Sequence, residues 1–315
     1  MGINSLEEAY KNFLDFNVIS ISPIEAGHIN DTFLVKTKEN MFILQRIQKA
    51  IDILKLEYNY ELYSKAFDEV GFLYPKWIRS KTGELFYTDT NGYSWRMYPF
   101  VEGDILSTPL SDRNLYSLGQ ELAKMHQLLS KVSDVPKAVY PRLHDLIFYY
   151  EQYLEILNNS MVCNEKRAQA IEEKIKLMID EMLLFQPVIK TVIHADPKLT
   201  NVLFKDGRVI GVLDLDTVME GAVLEDIADC IRSCCIVDGE FSNASAEIMV
   251  EGYKSNTTIE IAKEIDELLP DCFNKICFEL GLRYYMDYIS HDEHFKEIYP
   301  GYRLDRAKSL LEVRW

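Results

Sequence analysis

The residues VIHADPKLTNVLF stand at positions 192–204, and VLDLDTV follows at positions 212–218. Apolar runs flank the polar residues in both segments, a pattern that favours short buried strands. A histidine, three aspartates, a lysine and an asparagine therefore stand where the chain turns between strands. Asp, Asn, Pro and Lys are common in turns, so each of these residues alone is explained by a turn. Their spacing is what carries information.

Asp196, Asn201 and Asp214 are spaced along the chain in a pattern that is typical of phosphoryl-transfer sites. Asp196 and Asn201 are five residues apart, and Asp214 ends the next strand-like run. The catalytic loop of protein kinases, HRDxxxxN, has the same spacing and is followed by a metal-binding aspartate. Phosphoryl transfer needs a carboxylate that takes the proton of an acceptor hydroxyl, and oxygen ligands that hold Mg²⁺. We therefore expect Asp196 to act as the base, and Asn201 and Asp214 to bind the metal.

Three neighbouring side chains complete this catalytic group. Lys198 lies two residues after the base, from where it can offset charge on the transferring phosphoryl group. His194 is expected to brace the loop by hydrogen bonding. Asp216 lies two residues beyond Asp214 and would face the same side of an extended segment, which makes it a second candidate metal ligand.

Composition and charge are those of an ordinary globular protein. The chain has 315 residues, 48% hydrophobic and 27% charged, a length that suits two lobes. A formal net charge of −16 argues against nucleic-acid and anionic-membrane binding, because polyanions are repelled. The N-terminal residues lack the features of a signal peptide, and no apolar run is long enough to span a membrane, so a cytoplasmic location is expected.

The six cysteines form no CxxC pair, and we expect them to be reduced and buried. The alternative is a metal site made by Cys230, Cys234 and Cys235.

The first hundred residues predict a small sheet with one helix packed on it. The runs at 32–37 and 41–47 are separated by a polar turn and predict a hairpin. Apolar residues three or four apart predict a helix within 50–70. Two further strand-like runs flank Asn91-Gly92, the dipeptide that two-residue hairpin turns prefer. We assign residues 1–97 to this N-terminal lobe.

Beyond Pro99 and Gly103 the sequence predicts a mainly helical lobe, residues 104–315, joined by a hinge at 98–103. A buried helix is expected after Ser111, which is the N-cap candidate. Further helical patterns occupy 144–158, 164–185 and 272–289, and short apolar runs occupy 188–193, 202–204 and 209–213. The two lobes are expected to meet along a cleft near the hinge.

HADPKLTNVLF and VLDLDTV resemble the HGDxxxxN and IDxD-type motifs of aminoglycoside phosphotransferase-like kinases. Within that superfamily, GHINDTFLV (27–35), FILQRI (42–47), the segment 213–233 and the tail 281–309 resemble N-acetylhexosamine 1-kinases. The resemblance runs from about residue 20 to 309. It implies an α+β, bilobal protein-kinase-like fold with a small antiparallel-sheet N-lobe and a larger, mainly helical C-lobe. It also implies that MgATP phosphorylates the anomeric hydroxyl of N-acetylglucosamine or N-acetylgalactosamine.

The resemblance implies where the nucleotide binds. The adenine would lie against the hinge, and the segment GHINDT would cover the phosphates. Asp31 would repel phosphate and is expected to face a neutral sugar instead. The alternative for GHINDT is an ordinary polar hairpin turn. The implied nucleotide contacts are Gly27, His28, Asn30, Thr32, Tyr98, Pro99, Phe100 and Val101.

One position departs from the pattern of many relatives. They carry Lys or Arg on the third strand, paired with a helix Glu, to grip the nucleotide phosphates. The aligned residue here is Gln45, followed by Arg46. Adjacent strand residues face opposite sides, so Arg46 serves only if a bulge rotates the strand. Glu57 on the next helix is the candidate partner.

Candidate substrate contacts lie downstream. Asp226, Asp229 and Arg232 share a helical period and predict either an internal salt-bridge brace or a substrate contact. Arg283 and Asp287 are four residues apart, so they predict either contacts with sugar hydroxyls and the N-acetyl group or an ion pair.

Two histidine-containing patterns have simpler interpretations. His126 fits a hydrogen-bonded core histidine, and the HDEH sequence at 291–294 fits a solvated loop rather than a zinc site.

The leading functional prediction is a sugar 1-kinase that uses ATP and Mg²⁺. A neutral sugar suits a site with few fixed charges, and its anomeric hydroxyl is more acidic than an ordinary alcohol. An aminoglycoside or another small alcohol is the alternative substrate, since an acidic protein also suits a cation. A catalytically silent binding module is the alternative of another class, and it has no need of Asp196, Asn201 and Asp214 together.

Overall fold

The computed structural model describes residues 3–15, 17–24, 30–159, 166–292 and 294–315. Gly27, His28 and Cys163 lie outside the described residues.

The N-terminal lobe is a five-stranded antiparallel sheet with two helices. Its strand order is β1-β2-β3-β5-β4, and the two central hairpin strands have an unbroken register from Asp31 opposite Arg46 to Lys36 opposite Met41. Helix α2 begins at an N-cap, Asp52, whose carboxylate accepts two backbone N–H groups, and it ends at Gly71 with φ 66°. The elements are α1 Ile3–Phe13, β1 Val18–Ile24, β2 Asp31–Thr37, β3 Met41–Ile47, α2 Ile53–Val70, β4 Tyr87–Thr88 and β5 Ser94–Pro99.

The predicted first hairpin and its helix are confirmed, but the second hairpin differs from the prediction. Asn91-Gly92 lies in a longer loop, residues 89–93, rather than in a two-residue turn. The backbone N–H groups of Asn91 and Tyr93 both donate to the carboxylate of Asp89 at 2.9 Å. This carboxylate organises a wide loop, which the dipeptide alone does not predict.

The C-terminal lobe consists of seven helices and three two-stranded ribbons within the described residues. Its helices are α3 Asp112–Leu129, α4 Leu146–Asn159, α5 Lys166–Leu184, α6 Val223–Cys234, α7 Asn243–Lys254, α8 Ile259–Ser290 and α9 Tyr302–Glu312. Strands β6 Lys190–Ile193 and β9 Met219–Ala222 form one ribbon, β7 Val202–Lys205 and β8 Arg208–Val212 form the second, and β10 Ile236–Val237 and β11 Glu240–Phe241 form the third.

Two elements of this lobe correct the sequence-based prediction. Helix α8 begins at Thr258 and continues through Pro270, whereas the pattern predicted a helix only from 272 to 289. Proline removes one helical hydrogen bond, but burial of α8 against its neighbours outweighs that loss. Strand β9 was not predicted, because its residues follow the metal-binding motif without a clear period.

Helix α3 confirms the predicted N-cap and positions a buried histidine. The Ser111 hydroxyl accepts the backbone N–H of Asn114, whose side chain bonds back to the backbone of Ser111. The backbones of α3 and α7 touch at Gly119, where a Cβ would lie 2.0 Å from the carbonyl oxygen of Met249. This close approach brings His126 of α3 within hydrogen-bonding distance of Tyr253 on α7.

Burial of the cysteines agrees with the sequence-based expectation. Cys230, Cys234, Cys235, Cys272 and Cys277 are all buried and free. Across the ranges that the structure describes, no helix has the length and apolar character needed to cross a bilayer.

Candidate active site

Two ribbons carry the predicted catalytic residues to one place. Strand β6 ends immediately before His194, and β8 ends two residues before Asp214. The backbone N–H of Leu213 donates to the carbonyl oxygen of Asn201 at 2.8 Å, which joins the two segments. Ala195 and Asp214 have positive φ values of 66° and 53°. Strained left-handed residues of this kind concentrate at functional sites, where the surrounding structure holds them in place.

Asp196, Lys198 and Asn201 form one hydrogen-bonded group. The Lys198 ammonium donates to Oδ2 of Asp196 at 2.5 Å. The amide nitrogen of Asn201 donates to the backbone oxygen of Asp196 at 2.9 Å and to its Oδ2 at 3.4 Å. Because the nitrogen is the donor in both contacts, the amide oxygen of Asn201 is directed away from Asp196. The Asp196 carboxylate is therefore oriented by two donors on one oxygen.

His194 braces the loop, as its residue type and position predicted. Its imidazole is fully buried, and Nε2 donates to the carbonyl oxygen of Leu213 at 3.0 Å. Nδ1 accepts the backbone N–H of Asp196 at 3.3 Å. A carbonyl oxygen only accepts and an N–H only donates, so these partners fix one neutral tautomer. The histidine thus links the two segments and takes no proton from a substrate.

Asp226 of α6 holds the same loop in place through hydrogen bonds to its backbone. Its carboxylate accepts the backbone N–H groups of His194 and Ala195, each at 2.7 Å. It also contacts Nε2 of His126 at 2.9 Å, while Nδ1 of that ring contacts the Tyr253 hydroxyl at 2.7 Å. His126 is therefore the hydrogen-bonded core histidine that the sequence predicted. Of the two alternatives for Asp226, the structure supports the brace.

Asp214 carries a negative charge that its surroundings do not balance. Burial and, next, the charge of the neighbouring Asp216 raise its pKa to about 6, although Arg96 and Lys198 oppose the shift. A divalent cation would relieve this charge, and carboxylate and amide oxygens are the ligands that Mg²⁺ prefers. Asp214 and Asn201 thus fit the metal, which would offset the charge of phosphate oxygens.

No group of three or more His, Cys, Asp or Glu side chains is arranged to hold a metal within the described part of the chain. Mg²⁺ is usually bound by one or two carboxylates together with water and substrate phosphates, so a full protein cage is not required.

Asp216, the second predicted metal ligand, is paired with Arg96 of β5. Both of its oxygens accept hydrogen bonds from the guanidinium of Arg96, at 2.6 and 2.8 Å, and both side chains are about 95% buried. The prediction assumed an extended segment, but Leu215–Thr217 form a 3-10 turn. Asp216 is therefore the partner of a buried arginine.

Arg46 lies on the opposite side of β3 from Gln45, because the register on both sides of β3 shows no bulge. Its guanidinium forms an ion pair with Asp31 and lies 4.4 Å from the centre of the Tyr93 ring. These contacts correct two expectations: Arg46 does not face the phosphate position, and Asp31 is directed to Arg46 rather than to a sugar.

The cation beside Gln45 is Arg96 of β5. Its Nε donates to Oε1 of Gln45 at 2.8 Å. The expected ion pair between Arg46 and Glu57 is not formed, because Arg46 is paired with Asp31; in the ranges described above, Glu57 takes part in no ion pair. Arg96 was missed from sequence, although a charged residue between Trp95 and Met97 in a buried strand was a detectable signal.

The described part of the GHINDT segment joins this group. Asn30 donates to Asp216 at 3.5 Å and accepts the backbone N–H of Gln48 at 3.3 Å. The Thr32 hydroxyl accepts from Nε2 of Gln45 at 3.2 Å. The described residues Asn30 and Thr32 are therefore hydrogen-bonded to residues of this group.

The predicted hinge, residues 98–103, begins with the last two residues of β5, Tyr98 and Pro99. The Tyr98 phenol has a raised pKa because it is buried, and Asp214 and Asp216 add to that shift. Phe100 donates its backbone N–H to the carbonyl oxygen of Met41 at 2.9 Å, and Pro99 is opposite Phe42 in the register. Val101 comes next and is half-buried. Tyr98 is thus near the two acidic residues of the site.

The predicted substrate residues lie on α6 and α8. Asp229 accepts from Nε of Arg232 at 2.8 Å. Burial would raise the pKa of Asp229, but the charges of Arg232, His144 and Lys198 outweigh burial and lower it. The ion-pair brace is therefore present, and it is close enough to Lys198 to influence the catalytic group.

Arg283 and Asp287 line a cavity of about 560 Å³ between α4, α8 and the tail. The expected ion pair between them is not formed in the described structure: Asp287 accepts the N–H groups of His294 and Phe295, and Arg283 lies 4.8 Å from the Tyr149 ring centre. His294 lines this cavity, and His291 is exposed, in agreement with a loop rather than a zinc site.

His144 connects the catalytic loop to α8 and was missed from sequence. Its Nε2 donates to the carbonyl oxygen of Ala195 at 3.0 Å, and its Nδ1 lies 3.4 Å from Glu279. Burial lowers the pKa of His144, but the charge of Glu279 outweighs burial and raises it to about 10. Nothing in the local sequence distinguishes His144 from a surface histidine at the start of a helix.

The fold and the site together define a kinase-like phosphotransferase. The chain belongs to the phosphotransferase enzyme family abbreviated APH, whose family model matches residues 20–254. The predicted superfamily and bilobal α+β fold are thereby confirmed.

Among curated proteins, the chain is similar to homoserine kinases. It is 23% identical over 315 residues to that of Phenylobacterium zucineum, covering 97% of this chain and 90% of the relative. It is 24% identical over 262 residues to that of Zymomonas mobilis, covering 78% and 77%. These relatives do not support the narrower resemblance to N-acetylhexosamine 1-kinases.

Solved structures share the fold at low sequence identity. A microcompartment-associated aminopropanol kinase superposes with a TM-score of 0.73 at 16% identity, covering 98% of this chain and 95% of that chain. Amicoumacin kinase, solved in complex with AMP-PNP, Ca²⁺ and amicoumacin, has a TM-score of 0.68 at 13% identity, covering 99% and 93%.

Proposed function

We propose that this phosphotransferase uses ATP and Mg²⁺ to phosphorylate the anomeric hydroxyl of an N-acetylhexosamine, giving the sugar 1-phosphate and ADP. The observation that carries the reaction type is the contact between Asp196, Lys198 and Asn201 beside Asp214. The choice of an N-acetylhexosamine as substrate is supported by the sequence segments described above, from GHINDT to the tail at 281–309.

Asp196 is the base of the proposed reaction. The substrate hydroxyl forms a bond to the γ-phosphorus, the bond between that phosphorus and the bridging oxygen of ADP breaks, and the hydroxyl proton passes to Asp196. Lys198 and Asn201 hold the carboxylate through Oδ2, which leaves Oδ1 for the incoming hydroxyl. Lys198 also offsets negative charge on the transferring group.

The cavity beside Arg283 is the proposed sugar site. Contacts run from the carbonyl oxygen of Ala195 through His144 to Glu279, and Arg283 lies one helical turn further along α8. His144 and Glu279 therefore link the catalytic loop to the helix that lines the cavity. Its volume of about 560 Å³ is within the range of small-molecule sites. Aromatic Tyr149 with polar Gln152 and Ser290 suits a neutral molecule that has both hydroxyl groups and apolar ring faces.

A second candidate function is phosphorylation of an amino alcohol such as homoserine. The observation in its favour is that a homoserine kinase aligns over 97% of this chain. Such a substrate carries both an ammonium and a carboxylate group. The pair Asp229 and Arg232, near Lys198, offers both signs of charge. An aminoglycoside is the third candidate: it needs several carboxylates around its amines, and Glu155, Asp287 and Asp292 line the same cavity.

ADP release measured with each substrate class tests the proposal. The panel is N-acetylglucosamine, N-acetylgalactosamine, glucose, homoserine, 1-amino-2-propanol and kanamycin, each with MgATP. We expect turnover with the N-acetylhexosamines, and phosphorus NMR should detect an anomeric phosphate in the product. Turnover confined to homoserine or to kanamycin would refute the sugar.

Asp196→Asn tests the base within the same assay. We expect the rate to fall by about 10²- to 10⁴-fold, as for other general bases, with nucleotide binding retained. Asp206→Asn is the matched control, because Asp206 is exposed in the turn between β7 and β8. An unchanged rate in Asp196→Asn would remove this residue from the role.

A further inference from the structure

Arg96 is a buried arginine at the centre of the proposed nucleotide site. It is 3% exposed, and its guanidinium is held by Gln45 on one side and by both oxygens of Asp216 on the other. Its charge influences Tyr98 of the hinge and Asp214 of the metal position. Arg96 is therefore near both the predicted hinge and the predicted metal ligand Asp214.

We propose that Arg96 is the cation that binds the phosphates of the nucleotide, with Gln45 and Asp216 as the residues that position its guanidinium. This inference rests on the proposed function only in its use of an adenine nucleotide. It assigns a role to β5 that many relatives give to a basic residue on β3.

Hydrogen-bond counting supports this role. A guanidinium has five N–H donors in a fixed plane. Three of them bind Gln45 and Asp216, so two have no partner among the residues that the structure describes. A buried donor without a partner is costly, and phosphate oxygens are strong acceptors that arginine binds in pairs.

The positions of Asp214 and Asp216 also support a phosphate-binding role for Arg96. Asp216 lies in the 3-10 turn Leu215–Thr217, and Asp214 immediately precedes this turn. Asp216 binds Arg96 through both oxygens, and we assign the metal position to Asp214. In protein kinases the phosphate-binding lysine is likewise paired with a carboxylate, which comes from a helix. Here Asp216 is the carboxylate that pairs with the proposed phosphate-binding cation, and Glu57 of α2 does not have that role.

Arg46 is the competing cation, and its contacts argue against it. It lies on the other face of the sheet, where Asp31 and the Tyr93 ring bind it. Its side chain would have to leave both partners and cross the strand to reach the position of Asp214.

A purely structural role is the second alternative. Arg96 belongs to the N-terminal lobe and Asp216 to the C-terminal lobe, 120 residues apart, so the pair also ties the lobes together. The two roles differ in what they predict for ligands with and without phosphate. A structural tie affects adenosine and ADP alike, whereas a phosphate contact affects only ADP.

Binding of adenosine and of ADP with Mg²⁺, measured by titration calorimetry, tests the inference. The main variant is Arg96→Met combined with Asp216→Asn, because removing Arg96 alone leaves an unpaired buried carboxylate. We expect the preference for ADP over adenosine to fall by about 10- to 100-fold, since hydrogen bonds to charged groups contribute about 1.5–3 kcal/mol. Adenosine affinity should stay within about twofold of the wild type.

Arg96→Lys is the second variant, and it keeps the charge without the planar pair of donors. Its preference for ADP should lie between those of the wild type and the double variant. Arg79→Met with Glu61→Gln is the control, because it removes an exposed arginine pair from the same lobe. Each variant is first checked for a folded state by thermal unfolding.

Two results would overturn the inference. In the first, adenosine and ADP affinities fall by the same factor in the double variant. In the second, the ADP preference persists there and is lost in Arg46→Met. Failure of the sugar assignment is a separate outcome, because these titrations contain no sugar: a protein inactive on N-acetylhexosamines can still show an Arg96-dependent preference for ADP.

Discussion

The carboxylate of Asp226 accepts the backbone N–H of His194 at 2.7 Å, so a residue on α6 fixes the loop that carries the proposed base. The same carboxylate accepts the N–H of Ala195 and contacts His126, and it is fully buried. Asp226→Asn keeps the size of the side chain but replaces one acceptor oxygen with a donor. A donor would then face an N–H group of the loop.

We expect Asp226→Asn to lose about 2–4 kcal/mol of stability and to lower kcat by about 10- to 100-fold, because the loop loses its orientation. Urea unfolding gives the first quantity, and ADP release under saturating substrates gives the second. Asp206→Asn again serves as the control. Full activity together with wild-type stability would show that the loop does not depend on this clamp.

Asp214 and Asp216 should respond differently to the same substitution. Asp214→Asn removes the proposed metal ligand, so we expect ADP binding to lose its dependence on Mg²⁺. Asp216→Asn weakens the hold on Arg96, so ADP affinity should fall by about 3- to 30-fold while the Mg²⁺ dependence remains. Titration of Mg²⁺ at fixed ADP measures both. If both variants lost their Mg²⁺ dependence equally, Asp216 would be a metal ligand as well.

His144 predicts a pH dependence of stability. Glu279, Glu225 and Asp229 surround it, and its pKa is raised from 6.5 to about 10 in the folded state. A raised pKa means that the folded protein binds the proton more tightly than the unfolded chain does. This stabilisation is complete below about pH 6.5 and is lost as the pH rises through about 10.

The free energy of unfolding of the wild type should therefore fall between about pH 7 and 10, and His144→Asn should show a flatter profile. Asparagine suits the comparison because residue 144 has φ 62°, a conformation that asparagine tolerates. Urea titrations across this pH range measure the slope. Equal slopes in the two proteins would show that His144 does not carry the linked proton.

Local sequence patterns predicted those parts of the fold that depend on near neighbours. The β2–β3 hairpin follows from alternating residues around a polar turn, and α3 from its apolar period with Ser111 as the cap. The catalytic loop was predicted because the spacing of Asp196 and Asn201 is itself local. In each case the partners lie within a few residues of one another, where sequence distance approximates distance in space.

The remaining site residues depend on distant partners. Asp216 turns toward Arg96, which is 120 residues away, and no local pattern indicates that pair. His144 meets Ala195 and Glu279, which lie 51 residues later and on the far helix α8. Tertiary contacts therefore decide features that the motif leaves open, including which of the two aspartates pairs with Arg96.

Arg283 provides a test of the sugar site that is separate from the chemistry. Its guanidinium lies over the Tyr149 and Phe295 rings and lines the cavity on α8, without contacting the catalytic loop in the described structure. Arg283→Ala should raise KM for the N-acetylhexosamine by about 10-fold or more, since hydrogen bonds from a charged donor contribute about 1.5–3 kcal/mol. KM for ATP should be unchanged. Arg167→Ala is the matched control, because Arg167 forms an exposed ion pair with Asp305. A rise in KM for ATP alone, or no change in either constant, would place the sugar elsewhere.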